Sequence, residues 1–170
     1  MTYKREIEHK HVLHNVTMAD ADATIQMVFP GSLEEQGTSK DVFWRHHMVD
    51  FIRLRANTKE MTIKITDQDN INDRIEENVK VDDLEVTSRL LNALHGEPKG
   101  ELTKEYLVYY TPLAIVSLYR VKEDQQARIF LEVEADDLEV VQDISEVFKE
   151  YFSMTKQEKS LYGMFFGDQK

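Results

Sequence analysis

Cysteine is absent from this 170-residue chain, which removes disulfides, thiolate metal sites and cysteine nucleophiles, and fits a reducing, cytoplasmic setting. Any metal must be held by oxygen or imidazole. Long apolar runs are also missing. No stretch approaches the roughly 20 apolar residues of a spanning helix, and the first residues are charged, so no membrane partner is expected. Cations are in deficit: 21 Lys and Arg against 32 Asp and Glu leave a formal charge of −11, which argues against a basic surface for coating double-stranded nucleic acid. Walker A, G-x-G-x-x-G and nucleophile-elbow sequences do not occur. Glycine and proline are scarce, and most fall in two breaks, "PGSLEEQGTSK" (30–40) and "HGEPKGELT" (95–103), short enough to be loops inside one domain spanning 1–170.

What is present is strand-like alternation. It marks strands at 3–13, 40–45, 50–57, 60–66, 72–81, 113–122 and 127–135, with short spacings that favour antiparallel neighbours. Helical periodicity marks 17–28 with Thr17 as N-cap, 82–95 opened by Asp82 and Asp83, and 136–152 with a stripe of Leu138, Val141, Ile144, Val147, Phe148 and Tyr151. A short helix is expected over 155–162, capped by Thr155. The class is α+β with an antiparallel sheet.

The strand faces carry the chemical information. In the first strand Glu6, Glu8 and Lys10 share one side, and Ile7, His9 and His11 the other. Arg53 and Arg55 oppose Ile52 and Leu54. Lys64 opposes Ile63 and Ile65; Arg74 and Glu76 oppose Ile75; Glu132 and Glu134 oppose Leu131 and Val133. If the sheet closes into an antiparallel β-barrel with helices packed outside, Lys10, Arg53, Arg55, Lys64, Arg74 and Arg120 meet Glu6, Glu8, Glu76, Glu132 and Glu134 in its interior. Burying so many charges is costly unless each is paired or has a ligand. The cations ask for a polyanion, and the carboxylates for a hard divalent cation, Mg²⁺ or Mn²⁺, which bridges to phosphate oxygens.

"EIEHK" (6–10) resembles the E-x-E-x-K signature of the CYTH superfamily, the triphosphate tunnel metalloenzymes, a group that includes class IV adenylyl cyclases and thiamine triphosphatases. Further blocks follow in the same order: "DVFW" (41–44), "FIRLR" (51–55), "MTIK" (61–64), "RIEE" (74–77), "SLYR" (117–120), "FLEVE" (130–134) and "KSLYGMFF" (159–166). The resemblance implies a triphosphate tunnel in which Glu6, Glu8, Glu132 and Glu134 bind Mg²⁺ or Mn²⁺. It also implies that Lys10, Arg53, Arg55, Lys64, Arg74 and Arg120 grip a small-molecule triphosphate. Glu6, Glu8, Lys10 and Glu76 would form the catalytic set, Glu76 ordering the cations. Two positions depart from the pattern. The family's additional Asp ligand has no strand of its own here, leaving Glu123 or Asp124 in a turn as substitutes, and Leu118 stands where the K-x-R strand has its Lys.

The chemistry implied is metal-assisted phosphoryl transfer, expected as hydrolysis of tripolyphosphate, thiamine triphosphate or a nucleoside triphosphate. The alternatives are a cyclase converting ATP to cyclic AMP and pyrophosphate, or a module that binds phosphate or nucleotide without turnover. His9 and His11 face away from the carboxylates and are expected to be helix-facing or on the surface. His46 and His47 adjoin in an expected hairpin turn, and adjacent residues in a strand cannot both face one metal. Trp44 is expected in the core or at a tunnel mouth touching a base. Exposed aromatics permit a homodimer.

Overall fold

The computed structural model describes residues 4–66 and 73–167, with side chains placed for 7–65 and 76–167. Among these lie nine strands and four helices: β1 (Lys4–His14), α1 (Met18–Val28), β2 (Leu33–His46), β3 (Val49–Arg55), β4 (Glu60–Thr66), β5 (Asp73–Lys80), α2 (Leu84–His95), β6 (Gly100–Tyr110), β7 (Ile115–Val121), β8 (Ile129–Ala135), α3 (Leu138–Lys149), β9 (Ser153–Lys156) and α4 (Leu161–Phe166). The class is α+β and the strand pairs are antiparallel. The chain divides into two compact units, Met1–Arg5 with Ser39–Thr103 and Lys159–Lys170, and Glu6–Thr38 with Lys104–Glu158.

In the first unit the strands follow the order β5, β4, β3, β2. Trp44, Ile52, Leu54, Met61 and Ile63 occupy alternate positions on one face, and α2 covers them with Leu84 and Leu91. Asp83 caps α2, its side chain accepting from the Val86 N–H, which satisfies one of the donors a helix start leaves open. Trp44 is wholly buried in this core and its Nε1 donates to Asn92 Oδ1 at 2.8 Å. It therefore packs under α2 and is not placed to meet a base.

In the second unit the order is β6, β7, β8, β1, β9. Leu13, Val116, Leu118, Leu131 and Val133 form one face, covered by Ala21 and Ile25 of α1 and by Val141, Ile144 and Phe148 of α3. Thr17 and Asp137 cap these helices. The stripe on α3 is narrower than the periodicity suggested, because Val147 and Tyr151 remain exposed.

Three expected boundaries shift. The break at 30–40 is strand from Leu33 onward, and the break at 95–103 gives way to β6 at Gly100. The last helix is capped by Ser160 rather than Thr155, because Ser153–Lys156 is strand β9, paired with His11–His14.

Candidate functional site

Cations gather on the face of the first unit's strands opposite α2, where Phe43 and Phe51 pack against Tyr162 and Phe166 of α4. Period-two alternation brings Asp41 opposite Arg55, Arg53 opposite Thr62, Thr62 opposite Asn78 and Lys64 opposite Glu76 across four neighbouring strands. Asp41 is fully buried and accepts from Arg55 Nε and Nη2 at 2.8 and 2.9 Å, a fork that fixes the guanidinium in one orientation. Arg53 Nη2 donates to Thr62 Oγ1 at 2.8 Å, and Thr62 in turn donates to Asn78 Oδ1 at 2.6 Å. Glu76 lies between two cations, 3.6 Å from Arg53 Nη2 and 3.2 Å from Lys64 Nζ. Burial pushes its carboxyl up, but Lys64, Arg53 and the Asn78 amide outweigh that and hold it below the usual carboxylate range. Arg53, Arg55 and Lys64 thus lie among Asp41, Glu76 and Glu60, the last opposite Arg55 across β3 and β4. Among the described residues the buried Nε of Arg53 has no hydrogen-bond partner. An unpaired charged donor in such a place is expensive by itself, and an anionic ligand would satisfy it. Arg74 is in register with Thr66 at the end of this ladder, but its side chain lies outside the described residues.

Carboxylates gather on the face of the second unit's strands opposite α1 and α3, where Glu8 and Lys10 are buried. Register pairs Glu8 with Glu134 and Lys10 with Glu132 across β1 and β8, so the four side chains form one patch. Lys10, only 4 % exposed, sits 3.5 Å from Glu8 Oε1 and 3.1 Å from Glu132 Oε1. Tyr119 donates to Glu132 Oε1 at 2.6 Å, and Lys104 Nζ lies 5.1 Å from the centroid of the Tyr119 ring. Burial raises the Glu132 carboxyl and Glu8 adds to that, but Lys10, Lys104 and the Tyr119 hydroxyl bring it below its ordinary value. Glu8, Glu132 and Glu134 bring hard oxygen donors to one patch, a donor type that suits Mg²⁺ or Mn²⁺. Glu6 continues the same face of β1, and its side chain also lies outside the described ones. Among the described residues no three His, Asp or Glu side chains are already gathered around a metal position.

No protein-family model and no curated protein matches this sequence. Solved structures do match. The PH1012 protein of Pyrococcus horikoshii superposes with a TM-score of 0.73 at 21% identity, covering 91% of this chain and 96% of its own. HpAC1 from Hippeastrum, a candidate adenylyl cyclase with a dominant triphosphatase activity, superposes with a TM-score of 0.70 at 14% identity, covering 94% of both chains. The chain shares the fold of these structures. A chain of the Schizosaccharomyces pombe Mediator head module is similar too, with a TM-score of 0.62 at 13% identity, covering 91% of this chain and all of that one.

Several residues named from the CYTH pattern are placed elsewhere. Arg120 is in register with Ile129 on β8, on the face of β7 that holds Leu118, and opposite to Tyr119. It is 54 % exposed at its side chain and bound to Glu105 Oε2 at 2.5 Å, with Lys122 3.6 Å from Glu105 Oε1. Leu118 belongs to the apolar core, so "SLYR" presents Ser117 and Tyr119, not Leu118 and Arg120, to the carboxylates. Asp124 does not replace the extra acid. Its two oxygens bind Arg128 Nε and Nη2 at 2.8 and 3.0 Å and accept the N–H groups of Gln126 and Arg128, closing the turn. His9 and His11 are buried on the core side of β1, where Lys156 Nζ lies 3.4 Å from His9 Nε2.

Lys104 and Tyr119 were not singled out from the sequence. Lys104 belongs to β6, whose two faces both carry polar and apolar residues, so no alternation reveals the strand. The signal for Tyr119 was present in the period-two spacing from Ser117, once Leu118 is read as core.

Proposed function

We propose that this chain is a divalent-metal-dependent triphosphatase that takes a small-molecule triphosphate and releases orthophosphate. The observation that carries the reading is the buried Nε of Arg53, which has no hydrogen-bond partner among the described residues, on a face that gathers Arg53, Arg55 and Lys64. It is supported by the carboxylates of Glu8, Glu132 and Glu134 on one patch and by the shared fold with HpAC1.

In this reading Arg53, Lys64 and Arg55, with Arg74, bind the phosphate oxygens and stabilise the charge that develops on them as the terminal bridge breaks. Asp41 and Glu76 orient those cations. Glu8, Glu132 and Glu134, with Glu6, hold Mg²⁺ or Mn²⁺, which when bound supplies charge neutralisation and a more acidic water. Lys10 stands between the carboxylates and is the residue able to reach a phosphate oxygen from their side. Tyr119 keeps Glu132 in one orientation and leaves its second oxygen free.

The test is an incubation of the protein with tripolyphosphate, thiamine triphosphate and ATP, each with Mg²⁺ or Mn²⁺, resolving orthophosphate, pyrophosphate and cyclic AMP. Orthophosphate from any substrate is the expected result. Cyclic AMP with pyrophosphate would assign the cyclase instead. The engagement of Asp124 by Arg128 favours one further reading, a module that binds a triphosphate without turnover. Metal-dependent protection against thermal unfolding by tripolyphosphate, with no product, would establish it.

A further inference from the structure

Among the described residues, two buried donors are left unused on the face of the first unit's strands opposite α2. Along β2, Val42 and Trp44 pack under α2, so period two places Ser39, Asp41 and Phe43 on the other face, with Arg53 and Arg55. Ser39 is 2% exposed and Asp41 is wholly buried, while Lys40 between them reaches out to Glu101. Neither Ser39 Oγ nor Arg53 Nε has a hydrogen-bond partner among the described residues. The other buried groups in that state lie elsewhere. Glu77 is in register with Ile63 of the core under α2, Thr58 is in the turn between β3 and β4, and His11 is on the core side of β1.

A buried polar group without a partner costs free energy that water or a ligand recovers. An N–H only donates and a hydroxyl is able to, so both groups call for an acceptor. The arginines and Lys64 on the same face call for an anion. Arg53 is in register with Phe43, four residues from Ser39 along β2, a rise of about 13 Å, with the Asp41–Arg55 pair between them. One phosphate group is too short to meet both levels, whereas a chain of linked phosphates lying along the strands is long enough. The Ser39 hydroxyl hydrogen turns about its own C–O bond, so the serine side chain need not move to donate.

We propose that Ser39 binds the triphosphate, its hydroxyl donating to a phosphate oxygen at the end of the chain beyond Arg55, while Arg53 holds the other end. This rests on the triphosphatase reading and deepens it, because it sets the direction in which the phosphates lie: along β2, from the level of Arg53 to that of Ser39.

The test compares the wild-type chain with Ser39→Ala, using tripolyphosphate and Mg²⁺, by turnover and by protection against thermal unfolding. Without ligand the variant should melt at or above the wild-type temperature, because it loses a buried hydroxyl left unsatisfied. Its half-saturating tripolyphosphate concentration should rise roughly tenfold or more, the worth of one hydrogen bond to a charged group. A packing role would lower the melting temperature and leave saturation alone. Pyrophosphate, too short to span both levels, should be weakened less than tripolyphosphate, and equal weakening would overturn the end-to-end placement. A wild type that neither turns over tripolyphosphate nor is protected by it overturns the triphosphatase reading and this inference with it. A responsive wild type with an equally responsive variant overturns this inference alone.

Discussion

Arg53 and Arg120 are both arginines on strands, yet the structure gives them different surroundings. Arg53 is largely buried beside Glu76 and Thr62 with its Nε unpartnered, whereas Arg120 is exposed and satisfied by Glu105. Arg53→Ala should therefore lower triphosphate turnover on the order of 100-fold, the cost of losing one preorganised donor, while Arg120→Ala should leave it nearly unchanged. Steady-state rates for the two variants check this directly. Equal losses would show that the face assignment of β7 is wrong. Tyr119→Phe removes the hydrogen bond to Glu132 and keeps the ring stacked on Phe130. It should raise the Mg²⁺ concentration needed for half-maximal rate by roughly tenfold or more, with a melting temperature close to wild type. At this scale the alternation with aliphatic residues put Arg53, Arg55 and Lys64 on one face and Glu8, Lys10, Glu132 and Glu134 on another, as the strand registers do. It misassigned Arg120 because "SLYR" was phased from its charge, while the buried Leu118 sets the phase of that strand.

Among the elements, β1 joins two environments: Glu8 and Lys10 on one face, His9 and His11 on the other. Burial, then His9, Lys149 and Lys156, lower the His11 pKa from its ordinary 6.5 to about 4, and its Nδ1 has no partner. The unfolded chain takes up a proton below about pH 6.5 and the native strand only near pH 4. The stabilisation is therefore complete above 6.5 and lost as pH falls through that window, by up to about 3 kcal/mol. His9, also lowered by burial and by Lys156, acts in the same direction. Melting temperature should fall between pH 7 and pH 5, and His11→Leu should flatten part of that fall. Identical pH profiles would contradict it. The α4 helix gives a second test. Its Phe166 ring packs so closely on Gly100 that a Cβ there would collide with it, and Tyr162 and Phe166 both rest on Phe43. Gly100→Ala should destabilise the protein by about 1–3 kcal/mol, read by denaturant unfolding, and Phe166→Leu in the same chain should recover part of the loss. Strands with one aliphatic face and helices with acidic caps were legible. β6 and β9 were not, the first because both faces are mixed and the second because four residues carry no period.

Within a chain of net charge −11, one face gathers Arg53, Arg55 and Lys64 and another gathers Glu8, Glu132 and Glu134 with Lys10. Buried charge costs several kcal/mol per ion unless compensated. In the proposed reading the phosphates compensate the first face and the divalent metal the second. The most direct test measures orthophosphate release from tripolyphosphate, with Mg²⁺ or Mn²⁺ and with EDTA, for the wild-type chain, Arg53→Ala and Glu8→Gln combined with Glu132→Gln. The account predicts metal-dependent release by the wild type, abolished by EDTA and strongly reduced in both variants. Release that persists undiminished in EDTA, or in the two variants, would contradict it.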